Sequence, residues 1–329
     1  MVAMTIRIKL CVLIVLAVSI LCSCSNIEDN TTIYKSESII STSKSEVTMV
    51  QPKEPQSNII QSLKEDLAGN GKINEIYLLN DNNELKIKID NSILTLGNIA
   101  VYAKEMFVVK IITSEDNNKY VAVYKYFFIG SASGEQDDLY LLNYNNEKSI
   151  DLLWSGNLPN YKYEYKNNKI SVAFTDLNKV IEGDISNTVK RMEDQKARIE
   201  PLTINDFFNG SIKLVLTDVG AQDYNEDNYG EIITKHDVYN EQLYMYLSSI
   251  YTIWKVKNDE VYIYKSFIID LHSYESRVIS EIIENGYLSN DKLESLLNKD
   301  EGEKDYTTYI NKLVQEEIIN IQNSKITIK

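Results

Sequence analysis

Short runs in which apolar and polar residues alternate place the strongest constraint on the fold of this chain. They are rich in Ile, Val, Tyr and Phe, and read NEIYLLND, NELKIKID, KYVAVYKYFFIG, DLYLLNYNN, YKYEYKNNKISVAF and DEVYIYKSFII. A period of two residues places alternate side chains on opposite faces of a strand. Because Asn, Asp and Gly separate the runs, they predict antiparallel strands joined by hairpins, with many tyrosines on half-buried sheet faces.

Helical spacing appears in two regions. The segment ISNTVKRMEDQKARIEPL predicts one amphipathic helix that ends at Pro201. From Ser276 onward, SRVISEIIENGYL, SNDKLESLLNKD and DYTTYINKLVQEEIINIQN predict three further helices. In the last of these, one apolar face is formed by Ile310, Leu313, Val314 and Ile318. We expect this face to pack on the sheet, and the alternative is an exposed face that binds a partner.

These patterns predict a mostly β fold, α+β overall. Antiparallel meander or propeller-like units form its body, and a helical carboxyl-terminal tail follows. The predicted parts are a leader (1–23), a flexible tether (24–58), a first β-rich unit (59–215), a second β-rich unit with an acidic loop (216–275) and a helical segment (276–329).

The amino terminus has the layout of a secretory signal peptide. Arg7 and Lys9 precede an apolar stretch, residues 10–21, that is short for a membrane span, and small residues follow. Its end, Leu21-Cys22-Ser23-Cys24, resembles the lipobox of a bacterial lipoprotein. The resemblance implies cleavage before Cys24 and diacylation of its thiol. Cys22 fits less well, because Leu21 would then occupy the small-residue position.

Both this interpretation and the alternative, an uncleaved anchor helix, predict that the rest of the chain lies at the extracytoplasmic face of the cell membrane. The following residues, 24–58, are rich in Ser, Thr, Lys, Glu and Asn and include Pro52 and Pro55. They predict a flexible tether. All three cysteines, Cys11, Cys22 and Cys24, lie in or beside the leader, so the mature domain can form no internal disulfide.

The charge of the chain restricts its partners. The formal net charge is −14, and loss of the leader would remove Arg7 and Lys9 but no acid. Such a surface repels phosphate backbones, which argues against nucleic-acid binding, and it attracts divalent cations.

Two loops share a spacing of oxygen-bearing side chains. In QDYNEDNYGEII the spaced positions are Asp223, Asn225, Asp227, Tyr229 and Glu231. In EDLAGNGKINEI the matching positions are Asp66, Ala68, Asn70, Lys72 and Asn74.

This spacing resembles the D-x-[DN]-x-D-G-x-x-[DE] loop of FG-GAP and VCBS repeats. The resemblance covers two loops with their following strands and implies two related halves of the chain. Positions one, three, five and nine of such a loop offer side-chain oxygens and position seven a backbone carbonyl, a set that suits calcium. We therefore predict calcium at the second loop. The first is weaker because Ala68 offers no side-chain oxygen. The alternative for both loops is a polar turn.

Other candidate chemistry is sparse. The segment GSASG (130–134) resembles a serine-hydrolase elbow, but Ala132 stands where the serine should be, so a hairpin loop is the better interpretation. Two histidines, His236 and His272, are too few for a typical zinc site and leave little for a Ser-His-Asp triad. Paired carboxylates for glycoside cleavage remain open in so acidic a chain.

The sequence thus predicts a lipid-anchored extracytoplasmic protein with a non-catalytic binding or structural role at the cell envelope, stabilised by calcium. Its expected partners are the membrane, through the amino-terminal lipid, and an envelope protein or polysaccharide. One alternative is a carboxylate-dependent hydrolase that acts on cell-wall polymer. Another is a regulatory lipoprotein whose helical tail docks a membrane partner.

Overall fold

The structure is a computed structural model that describes most of the chain after the predicted leader and tether. The described residues are 58–99, 105–127, 138–145, 149–194, 203–241, 245–271, 273–297, 306–322 and 325–329. Strands hold 57% of these residues and α-helices 19%, which confirms the predicted β-rich α+β class. The leader with Cys24, and all but the last residue of the predicted tether, lie outside the described residues.

In four of the five sheets of the described residues, strands that follow one another along the chain pair into antiparallel meanders, as predicted. Sheet A contains β1 (Asn58–Glu65), β2 (Asn74–Asp81), β3 (Glu84–Ile89) and β4 (Ser92–Asn98). Sheet B contains β5 (Glu105–Thr113), β6 (Lys119–Phe127), β7 (Asp138–Tyr144) and β8 (Ile150–Trp154). Sheet C contains β9 (Tyr161–Lys166), β10 (Lys169–Phe174) and β11 (Lys179–Asp184). Sheet D contains β12 (Ile212–Gln222), β13 (Glu231–Asn240), β14 (Met245–Lys257) and β15 (Glu260–Asp270).

Asparagine pairs close two of the described hairpins. Asn82 and Asn83, between β2 and β3, have φ values of 54° and 66°, and Asn167 and Asn168, between β9 and β10, have 51° and 59°. Two successive residues at positive φ form the tight turn that matches the twist of antiparallel strands, and Asn tolerates this conformation well. The asparagine residues that separate the strands in the sequence therefore form these turns through their own backbone conformation.

Sheet B is buried on both faces. On one face, Val121 and Val123 of β6 join the apolar cluster formed with sheet A. On the other, Tyr120 and Ala122 join the cluster that contains Trp254 of sheet D. Because successive side chains of a strand point to opposite faces, one alternating run contributes to two cores.

Sheet D lies between apolar cores as well. Its strands share one cluster with sheet C and with two helices, α1 (Ser186–Asp194) and α2 (Ile204–Phe208). They share another with the carboxyl-terminal elements. Those elements are α3 (Tyr274–Asn285), α4 (Asn290–Leu297), α5 (Tyr306–Gln315) and sheet E, which is formed by β16 (Leu288–Ser289), β17 (Ile319–Gln322) and β18 (Lys325–Ile328).

The last predicted helix is shorter than expected. It ends at Gln315, and the residues that should extend it form a turn and β17. Glu317 adopts φ 57°, and the Ile318 N–H donates to the Leu313 carbonyl at 2.8 Å, a Schellman ending without its usual glycine. Of the predicted apolar face, Ile310, Leu313 and Ile318 are buried, whereas Val314 is 40% exposed.

Two predicted domain boundaries fall within single elements. The boundary after residue 215 lies in β12, and the boundary after residue 275 lies in α3. The division into units remains a prediction. The helix predicted to end at Pro201 is described as α1 only to Asp194, and its remainder lies outside the described residues. None of the described helices is long and apolar enough to span a membrane.

Candidate functional site

The acidic loop predicted to bind calcium connects β12 to β13 in sheet D. The two strands pair as far as Gln222 and Glu231, so the loop begins and ends on paired backbone. Tyr224 is 1% exposed, and its hydroxyl donates to the Ile283 carbonyl of α3 at 2.9 Å. The Gly230 N–H donates to the Thr113 carbonyl of β5 at 2.7 Å. The loop is therefore held by neighbours on two sides.

The loop carboxylates accept hydrogen bonds from the loop's own backbone. Both oxygens of Asp223 are used, by the N–H groups of Asp227 (3.1 Å) and Asn228 (2.8 Å). Asp227 Oδ1 accepts from the Tyr229 N–H at 2.8 Å, and Glu231 Oε2 from the Tyr224 N–H at 3.0 Å. These bonds satisfy backbone donors that a tight turn would otherwise leave without a partner.

The Asn225 side chain forms two further hydrogen bonds, one with the side chain of Asp227 and one with its backbone. Its Nδ2 donates to Asp227 Oδ2 at 2.9 Å, and its Oδ1 accepts from the Asp227 N–H at 3.0 Å. Asn228, which stands where the resembled loops have glycine, adopts φ 71°. Asn is one of the few residues other than glycine that reach this conformation readily.

The first loop, between β1 and β2, has the same hydrogen-bond pattern. Asp66 accepts from the N–H groups of Asn70 (3.1 Å) and Gly71 (2.7 Å). Asn70 Oδ1 accepts from the Lys72 N–H at 2.9 Å. Asn74 Oδ1 accepts from the N–H of Leu67, which like Tyr224 is buried, at 3.2 Å.

The two loops therefore correspond position by position. The first, fifth and ninth residues of each accept hydrogen bonds from the loop backbone, although the ninth is Asn74 in one and Glu231 in the other. The shared spacing thus encodes a shared turn in which side-chain oxygens accept hydrogen bonds from the loop backbone.

Lys255 of β14 places an ammonium group against the second loop. Its Nζ lies 3.3 Å from Asp227 Oδ2, 3.2 Å from Glu231 Oε1 and 3.9 Å from Glu115 Oε1. The Lys255 side chain is 9% exposed and also lies over the ring of Tyr264, 4.8 Å from its centroid. Neither Lys255 nor Glu115 is among the residues predicted from the sequence. The signal for Lys255 was the single charged residue in the run SSIYTIWKV.

The proton affinities of this cluster reflect its burial. Burial raises the pKa of Glu231 to about 7, and the hydrogen bond from Tyr224 and the charge of Lys255 offset only part of that effect. Burial acts to lower the pKa of Lys255, but Glu231 and Asp227 raise it overall. Burial acts to raise the pKa of Asp227, but the Tyr229 N–H, Asn225 and Lys255 lower it overall. Because its pKa is raised, Lys255 keeps its positive charge at neutral pH.

The loop offers the kind of donors that calcium prefers, but an ammonium group already faces two of them. A calcium ion bound by Asp223, Asn225, Asp227, the Tyr229 carbonyl and Glu231 would have to displace Lys255 from Asp227 and Glu231. Within the described ranges, no group of three or more His, Cys, Asp and Glu side chains is arranged to hold a metal ion. Calcium at this loop remains a prediction.

The other predicted positions add little chemistry. His236 is buried in β13, and burial lowers its pKa to about 3, so the imidazole is neutral. Asp237, the next residue, accepts a hydrogen bond from the Ser249 hydroxyl at 2.6 Å. His272 and the GSASG segment lie outside the described residues.

One further carboxyl has a strongly raised pKa. Asp218 lies at a bulge of β12, and burial raises its pKa to about 6 although the charge of Lys235 and the Val219 N–H oppose this. Perturbed carboxyls mark candidate catalytic groups only where a substrate can reach them.

Comparison with known proteins gives no relative: no family model, no curated protein and no solved structure matches this chain.

Proposed function

We propose that this chain is a lipid-anchored extracytoplasmic protein with a non-catalytic binding or structural role at the cell envelope. Diacylated Cys24 would hold it on the membrane, and residues 24–58 would space the β-rich body from the lipid surface. The support for the anchor is the leader sequence and its lipobox-like end. The net charge of −14 favours an envelope protein or polysaccharide over a nucleic acid as the second partner.

The observation that carries the non-catalytic role is the position of Glu231. A carboxyl with a pKa near 7 has the proton affinity of a general acid or base. Glu231, however, is 2% exposed, and its two oxygens face the Tyr224 N–H and the Lys255 ammonium. A substrate could reach Glu231 only if the loop opened. We therefore assign Glu231 a structural role in the turn and not a catalytic one.

Calcium would compete with Lys255 for the carboxylates of the second loop. Both cations would neutralise Asp227 and Glu231, so calcium should act mainly where the ammonium is absent. A direct consequence is that the wild-type chain should gain little stability from calcium, whereas a chain without Lys255 should gain more.

The anchor is tested by membrane fractionation of full-length protein grown with labelled palmitate. We expect label and membrane association in the wild type and loss of both in Cys24→Ala. Cys22→Ala is the matched control and should keep both. Label that still enters Cys24→Ala would overturn the assignment.

The non-catalytic role is tested with the purified full-length chain and labelled cell-wall polymer. We expect polymer to be retained by the protein without release of soluble fragments. Release of fragments by the wild type, and its loss in Glu231→Gln or Asp218→Asn, would establish the hydrolase instead.

A further inference from the structure

A cavity of about 720 Å³ lies away from the acidic loop, between sheet C and the carboxyl-terminal helices. Residues of β10, β11 and the start of α1 line one side, and the end of β15, the start of α3 and α5 line the other. Its volume lies within the range of pockets that hold small ligands, about 300–1,000 Å³.

Most of the charged side chains in the lining are acidic. The carboxylates are Glu182, Asp184, Asp270, Glu275 and Glu316, and the cationic side chains are Lys169 and Lys312. Low-dielectric walls lined mainly by one sign of charge concentrate ligands of the opposite sign. The cavity should therefore favour cations over anions.

Asp270 is already committed to a structural task. Its oxygens accept hydrogen bonds from the N–H groups of Asn187 (2.9 Å) and Thr188 (3.1 Å) and from the Thr188 hydroxyl (2.7 Å). Asp270 thus caps the amino terminus of α1 from a distant strand, which a carboxylate does well.

Glu275 has unused acceptor capacity. It lies in the first turn of α3 and is 4% exposed. Its Oε1 lies 3.3 Å from Lys312 Nζ, while its buried Oε2 has no hydrogen-bond partner among the described residues. A buried acceptor without a donor is costly, so a ligand that supplies one would be stabilised there.

We propose that this cavity binds an organic cation with N–H donors, a primary ammonium or a guanidinium group, and that Glu275 is its anchoring carboxylate. The ligand would replace Lys312 at the Glu275 carboxylate, which has to rotate to present the buried Oε2 to a second N–H group. Lys312 can withdraw, because its side chain is 53% exposed and reaches solvent. This site is distinct from the acidic loop, and its ligand class does not depend on the proposed function.

The direct test is calorimetric titration of the purified full-length chain with simple probes. Butylammonium and butylguanidinium should saturate one site. Tetramethylammonium carries the charge but no N–H donor, and should bind at least about tenfold more weakly, as expected for a lost charge-assisted hydrogen bond. Inorganic phosphate should not compete.

Two sources could supply this chemistry in nature, a free amine or a basic side chain of a peptide. A capped Gly-Lys-Gly peptide separates them. Tighter binding of the peptide than of butylammonium indicates a protein side chain, and exclusion of the peptide indicates a free amine.

Variants of the lining residues test whether the ligand binds in this cavity. Glu275→Gln should weaken butylammonium binding at least about tenfold. Lys312→Gln should strengthen it severalfold, because it removes the internal competitor and a positive charge. Glu316→Gln, an exposed change at the same cavity, is the control and should alter affinity by less than about threefold.

The same variants can overturn the proposal. It fails if no ammonium or guanidinium probe saturates, if phosphate binds and Lys312→Gln abolishes that binding, or if Glu275→Gln binds as the wild type does. Circular dichroism checks that each variant is folded. If Glu275→Gln does not fold, Lys312→Gln still tests the proposal. This change should strengthen binding if the ligand is a cation and weaken binding if the ligand is an anion.

Discussion

At the scale of single residues, Lys255 is the side chain on which the acidic loop depends most. It is nearly buried and lies within 4 Å of the carboxylates of Glu115, Asp227 and Glu231. Removing the ammonium leaves the buried Glu231 carboxylate without its counter-charge, which costs more than the loss of an exposed ion pair.

Lys255→Met should therefore lower the free energy of unfolding by about 3 kcal/mol at pH 8, where Glu231 is ionised. Lys257→Met is the matched control. Its side chain is 57% exposed and pairs with Glu115 at 3.5 Å, so the loss should stay below about 1 kcal/mol. Urea denaturation measures both. Millimolar calcium should restore part of the loss in Lys255→Met only, and equal losses in the two variants would contradict this role for Lys255.

Glu231 should make the stability of the chain depend on pH. Its pKa is about 7 in the folded chain against 4.5 for an unperturbed Glu, so the folded state holds a proton that the unfolded state releases. The associated stability is present below pH 4.5 and is lost as the pH rises through 7. The loss is on the order of 3 kcal/mol.

Glu231→Gln has no carboxyl to titrate and should lose correspondingly less stability between pH 4.5 and 8. Glu226→Gln changes an exposed residue of the same loop and should follow the wild type. Denaturation at a series of pH values provides the comparison. Parallel curves for the wild type and Glu231→Gln would show that Glu231 does not bind the proton.

At the scale of elements, the two hairpin loops are versions of one turn. Asp66 and Asp223 each accept two backbone N–H groups, four and five residues further along. The weaker loop keeps its two bonds without an oxygen at Ala68 because both depend on Asp66 alone. In the second loop Asn225 adds a further bond to the Asp227 N–H.

Asp66→Ala and Asp223→Ala should destabilise the chain by similar amounts, about 1–2 kcal/mol each, in calcium-free buffer. Each change removes an acceptor shared by two turn donors, although the Asp227 N–H keeps Asn225 Oδ1 as a second acceptor. Hydrogen exchange should accelerate at Asn70 and Gly71 in the first variant and mainly at Asn228 in the second. A much larger loss in Asp223→Ala alone would mean that the loops are not equivalent.

At the scale of the whole molecule, the second loop joins two layers of sheet. Gly230 donates to the Thr113 carbonyl, and a Cβ at this position would overlap Ile112 Cγ2 and lie 3.3 Å from Ile112 Cα. Sheets B and D therefore approach each other here as closely as a glycine allows.

Gly230→Ala should lower the free energy of unfolding by about 1–3 kcal/mol, because the added methyl group forces the layers apart. A double-mutant cycle with Ile112→Ala isolates the cause. In the Ile112→Ala background the same glycine change should cost clearly less. An unchanged cost would show that the strain arises within the loop and not between the layers.

The sequence by itself determined the features that depend on near neighbours. Alternation of apolar and polar residues is a property of each strand, and the Asn82-Asn83 pair closes its hairpin with its own backbone. The loop from Asp223 to Glu231 likewise contains both the donors and the acceptors of its turn. These interactions span nine residues or fewer, so the spacing was enough to find them.

Only the tertiary structure decided the interactions between distant segments. Lys255 and Glu115 reach the acidic loop from other strands, and Asp270 caps α1 from 82 residues away at Thr188. The end of α5 at Gln315 was missed because Glu317 takes a conformation that glycine usually takes, and the following residues pair with β18. Such interactions depend on which layers of the fold pack together, and the local sequence pattern does not specify this packing.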